Sequence, residues 1–200
     1  MKDWRLIYII FAKSEDKLYI SNKNRQAYFV LLSVCIIFVR INLKNSNVMF
    51  DKETYVQRRA LLKKNIGSGV LLFLGNDEQG LNYEDNAFRY RQDSTFLYYF
   101  GLSFAGLSAI IDIDEDKEII FGDELTIDHI VWMGTQPTLK EKSERVGIRE
   151  TLPSVAIISY LHKAVQKGQT VHYLPPYRPE HKLKLMDWLG IPPARQEGSV

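Results

Sequence analysis

From residue 49 onward, blocks of apolar and polar positions predict an alternation of helices and short strands. Asp51 reads as a helix N-cap, with Glu53 in the first turn, Tyr55, Val56, Leu61 and Leu62 mainly on one face, and Gly67 as the stop. The continuous apolar run Val70 to Leu74, between Gly69 and Gly75, predicts a central strand buried on both faces. Gly75 to Asn86 is polar and acidic and reads as a surface loop. Ser108 to Ile113 and Glu118 to Phe121 form a hairpin around Asp114-Glu115-Asp116-Lys117, and a third apolar run predicts a strand ending at Trp132 and Gly134. Thr138 starts a charged helix ending at Gly147, and Pro153 opens another through about Lys167. Thr170 to Leu174 is a strand closed by Pro175-Pro176, and Pro179 to Leu189 is a last helix stopped by Gly190. Ile191 to Val200 reads as a loop-like tail. This order fits an α/β fold, a mixed β-sheet flanked by helices.

The densest chemistry lies in Phe88 to Leu102, where six aromatic residues surround Arg89, Arg91 and Asp93. Charges set among aromatics are tolerated when paired, so at least one of these arginines is expected to bond Asp93 or backbone carbonyls. An architectural ion pair, a substrate-lining wall and a catalytic group all fit this pattern. Taken alone, the stretch holds no nucleophile and base pair and no metal-ligand spacing.

Residues 1–48 differ from the rest, with eight basic against three acidic residues, while the remainder carries 18 against 21. Without a basic stripe in the main body, nucleic acid is excluded as a partner class. The run Ala27 to Val39 is apolar apart from Ser33, but its 13 residues would rise only about 20 Å as a helix against a hydrocarbon core of roughly 30 Å. Three readings of residues 1–48 stand: an upstream extension with Met49 as the true start, a membrane or signal segment, and a structured appendage. The first implies a cytoplasmic protein. Cys35, the single cysteine, excludes an internal disulfide and reads as an inert thiol among apolar neighbours.

Asp112, Asp114 and Asp116 alternate as in a calcium loop, but Lys117 replaces the turn glycine and strands flank the segment, so calcium is rejected. His129, His162, His172 and His181 have no metal-binding spacing and read as surface or packing residues.

Tyr90-Arg91-Gln92-Asp93-Ser94-x-Phe96-x-Tyr98-Tyr99, closed by Gly101, resembles the signature of the amino-terminal domain of Xaa-Pro aminopeptidases, in the creatinase/prolidase superfamily. Tyr55-x-x-Arg58-Arg59 with Leu61-Leu62 resembles the family's opening helix, and Ile130 to Gly134 its tryptophan-x-glycine segment. The resemblance spans roughly Met49 to Leu189. It departs from the family at Phe100, where many relatives have threonine. The resemblance implies a domain spanning 49–200 that is non-catalytic in itself. Its parent would release the first residue of peptides with proline second, using two divalent metals, often manganese, held in a carboxy-terminal "pita-bread" domain. This chain would then carry no metal site. Its partners would be that catalytic domain, further copies in a homo-oligomer, and proline-containing peptides. Arg91, Gln92, Asp93, Ser94, Tyr98, Gly101 and Gly134 would be structural signature residues, with Trp132 the substrate-contact candidate. A free-standing binding or assembly module of the same fold, or the equivalent domain of a prolidase or creatinase relative, is the alternative.

Overall fold

The computed structural model describes residues 49–83, 86–127, 131–132 and 134–196, all within the compact unit Asn47–Val200. The apolar run around Ala27 to Val39, Cys35 and His129 lie outside the described residues.

Helix α1 (Lys52–Ile66) starts where sequence places it, but the Asp51 carboxylate makes no cap bond. Instead the Thr54 amide donates to the Asp51 carbonyl. Glu53 in the first turn and Lys63 and Lys64 in the last complement the helix dipole. The buried face is narrower than the expected one. Tyr55 and Arg59, one turn apart, are the buried residues of α1, and Leu62 packs partly beside them. Val56 and Leu61 are exposed, because their positions rotate away from the 55, 59, 62 stripe.

Five strands form one mixed sheet in the order β4-β3-β2-β1-β5. Strand β1 (Val70–Leu74) pairs antiparallel with β2 (Ser108–Asp112), matching Leu72 with Ile110, and β2 continues into β3 (Lys117–Phe121) through the expected hairpin. Strand β5 (Val171–Tyr173) lies parallel to β1, and β4 (Glu150–Leu152) parallel to β3. Period-two alternation sends side chains to two cores. Leu71, Phe73, Ala109, Ile111 and Ile120 face Tyr55 of α1 and Phe96 and Phe100 of α2 (Ser94–Phe100). Val70, Leu72, Ile110, Ile119 and Phe121 face Ile157, Leu161 and Ala164 of α4 (Ala156–Gln166), and Leu185 of α5 (Pro179–Leu189). Both faces are therefore covered by helices.

Two expectations near the sheet edge are corrected. The segment carrying Trp132 is not a strand: Ile127, Val131 and Trp132 are helical. The edge beside β3 is taken by β4, a short Glu-Thr-Leu segment to which sequence assigns no element. It is reached through α3 (Leu139–Glu144), which Thr138 and Glu141 start with reciprocal capping bonds and which ends before the expected Gly147. The tail is also less loose than expected. A 3-10 turn at Pro193–Arg195 leads to the buried Gln196, whose amide donates to the carbonyls of Lys182 and Ile191.

Candidate functional site

The signature builds a polar frame with a short helix standing on it. Asp93 Oδ1 accepts from the Thr95 and Phe96 amides at 2.9 and 3.0 Å, capping α2. Gly101 closes the helix at φ 64°, its amide donating to Leu97 O. A Cβ at Gly101 would come within 2.3 Å of the Tyr55 ring, so α1 sits against a position that has room for glycine alone. Ser94 is the exposed first residue of α2. Phe100 is fully buried against Phe73 and Phe96.

Gln92 is the centre of the frame. Its side chain is 1% exposed; Oε1 accepts from the amides of Asn76 and Asp93 at 2.7 and 2.9 Å, and Nε2 donates to Phe104 O at 2.9 Å. Asn76 in turn donates from Nδ2 to Arg91 O, and the Tyr90 hydroxyl donates to Phe104 O at 2.8 Å. Three chain segments, around 76, 91 and 104, are thus tied by side chains where no ladder is available. Burial, followed by Asp77 and Glu78, pushes the Tyr90 hydroxyl far up, so it remains a donor. The expected surface loop consequently begins with two buried residues, Gly75 and Asn76.

The expected charge knot exists, but with other members. Arg89 and Arg91 are exposed. The buried arginine is Arg59 of α1, bonding Glu118 at 2.7 Å, Tyr99 O at 2.9 Å and Val146 O at 3.0 Å. It stands one turn after Tyr55, on the buried stripe of α1. Beside it, Arg58 donates to Tyr98 O and stacks between the rings of Tyr98 and Phe50, 4.0 and 4.6 Å from their centres. Tyr98 therefore serves the α1–α2 contact.

Trp132 stands apart from this frame. It is 87% exposed, with Ile127 and Val131 also open, and Gly134 nearby adopts φ 74° with nothing close to its Cβ position. The turn carboxylates are occupied: Asp112 accepts from Glu115 N, Tyr160 and Gln169, and Asp114 from Gly69 N and Gln169. His162 is exposed; His172 contacts Ser68 O; His181, 4% exposed, contacts Gly75 O at 3.1 Å. Among the described residues no group of three or more His, Cys, Asp or Glu side chains is placed to hold a metal ion. The arrangement can position and support, and Ile127, Val131 and Trp132 present apolar surface.

The family model for the N-terminal domain of aminopeptidase P matches residues 55–173. The chain is 30% identical over 112 residues to a probable Xaa-Pro aminopeptidase of Chaetomium globosum, covering 54% of this chain and 18% of that protein. It is 33% identical over 90 residues to the human Xaa-Pro dipeptidase, covering 44% of this chain and 18% of that one. It thus spans less than a fifth of these relatives' length. Among solved structures, Pseudomonas aeruginosa aminopeptidase PepP superposes with a TM-score of 0.61 at 20% identity, covering 76% of this chain and 35% of that one. Escherichia coli aminopeptidase P superposes at 0.60 and 18%, covering 70% and 33%. These two establish the likeness of fold.

Proposed function

The chain belongs to the family of aminopeptidase P N-terminal domains, and from that premise we propose that it is the non-catalytic amino-terminal domain of an Xaa-Pro aminopeptidase, shaping the substrate cleft and supporting oligomer contacts. The observation that carries this reading is the contrast between a rigid buried frame and an exposed aromatic segment. Gln92 and Arg59 spend their polar atoms on the chain's own backbone and on Glu118, and Asp93 Oδ1 caps α2, whereas Trp132 offers a flat apolar face to another surface. Against that face a peptide, a catalytic domain or a second subunit can pack.

The donor set described here does not fit a two-metal centre, since the carboxylates at 112 and 114 are held by Tyr160, Gln169 and backbone amides. Hydrolysis in the proposed parent belongs to a carboxy-terminal domain, with manganese as the metal to try first.

A second reading, a free-standing binding or assembly module, draws support from the helices covering both faces of the sheet. The test is hydrolysis of an Xaa-Pro peptide with manganese by the purified chain, beside a full-length aminopeptidase and with a separately produced catalytic domain added. No turnover alone and stimulated turnover by the added domain is the expected result. Chelator-sensitive turnover by the chain alone would overturn the proposal, and silence in both arms favours the free-standing module.

A further inference from the structure

Beside the frame, the carboxyl ends of the parallel neighbours β1 and β5 open onto a concavity of about 130 Å³. Open α/β sheets take ligands outside the carboxyl ends of their strands. Leu74, Tyr173, Pro175 and Pro176 supply apolar wall, Asp93 is the one carboxylate lining it, and no lysine or arginine does so. Asp93 Oδ1 is committed to the two α2 amides, while Oδ2 accepts from the Tyr177 hydroxyl at 3.2 Å. A carboxylate offers about four acceptor positions, so Oδ2 retains capacity for a further donor. Tyr177 is 70% exposed and borders the opening.

An anionic oxygen, aromatic rings and apolar walls, with no lysine or arginine in the lining and a His181 imidazole whose charged form burial disfavours, select a positively charged donor on a compact apolar body. We propose that this concavity binds the ammonium group of a small primary alkylamine, the ammonium donating to Asp93 Oδ2 and the alkyl body lying against Leu74, Tyr173 and Pro176. The inference stands on this fold alone and holds whether or not the chain serves an aminopeptidase. A free amine and the amino terminus of a peptide share this chemistry.

The test is amide chemical-shift titration of the full 200-residue chain with n-butylammonium, with its neutral counterpart butan-1-ol, and with trialanine amide bearing a free or acetylated amino terminus. Saturable millimolar shifts at Thr95 and Tyr177 are expected for the ammonium ligands, with butan-1-ol and the acetylated peptide at least about tenfold weaker, the fold-change of one lost charge-assisted bond. Binding by butylammonium alone identifies a free amine as the source, and binding by the uncapped peptide alone a peptide terminus; both support the site. Asp93→Asn retains a capping residue for α2 and should abolish the shifts, while Tyr177→Phe keeps the ring and should weaken them only a few-fold. Equal binding of butan-1-ol, undiminished binding by Asp93→Asn, or no shift with either ammonium ligand overturns the proposal. The comparison of ligands on the unaltered chain decides the matter even if Asp93→Asn does not fold.

Discussion

At single positions, the most consequential side chains are polar and buried. Gln92→Ala strands the amides of Asn76 and Asp93 and leaves the Phe104 carbonyl with the Tyr90 hydroxyl alone, at a cost of about 2–3 kcal/mol. Gln92→Glu keeps the shape but turns an acceptor toward Phe104 O, and should cost at least as much; urea denaturation compares the two. Arg59→Met leaves the carbonyls of Tyr99 and Val146 without this donor and Glu118 with Lys63 as its remaining cation, with an expected loss of about 3 kcal/mol. Combining it with Glu118→Gln should cost less than the sum of the single changes, since both remove the same contact. Gly101→Ala adds a methyl group against the Tyr55 ring at a left-handed backbone position and should cost about 2 kcal/mol or more.

At the scale of elements, α5 is pinned to the end of β1 by His181. Burial holds the imidazole below its ordinary value of 6.5, assisted by Lys184 and opposed by the Gly75 carbonyl, Asp93 and Asp77. A base whose folded pKa is depressed binds more protons when unfolded, so stability rises with pH. This contribution is complete above 6.5 and is lost as pH falls below 6.5 toward the depressed folded value. The melting temperature should therefore fall on acidification from about pH 7.5 to about pH 5. His181→Gln, which keeps an N–H for Gly75 O, should remove that part of the slope; an unchanged slope would assign it to the carboxylates.

For the whole molecule, the prediction concerns the surface rather than the core. Trp132→Ala alters an exposed side chain and should shift unfolding by no more than about 0.5 kcal/mol. In a full-length parent it should raise KM for longer peptides. Unchanged KM across peptide lengths would assign Trp132 to assembly alone, which the oligomeric state of the same variant would show.

Sequence by itself determined the elements whose signals are local. Val70 to Leu74 is apolar enough to be a central strand, Pro179 and Gly190 bracket α5, and Asp114 to Asp116 can do little but turn, although Lys117, expected in the turn, opens β3. The α/β class followed from the same patterns, whereas the signature residues were named from a family resemblance. Tertiary structure alone decided which arginine is buried, because exposure depends on what covers a position: α1 delivers Arg59 beneath the signature while Arg91 faces solvent. It also decided that the edge beside β3 belongs to Glu150–Leu152 rather than to the more apolar segment around Trp132. A three-residue edge strand carries too little pattern to announce itself, since its pairing is set by the neighbour it meets. The role of Gln92 is of the same kind, for its three partners lie on segments brought together only when the sheet has formed.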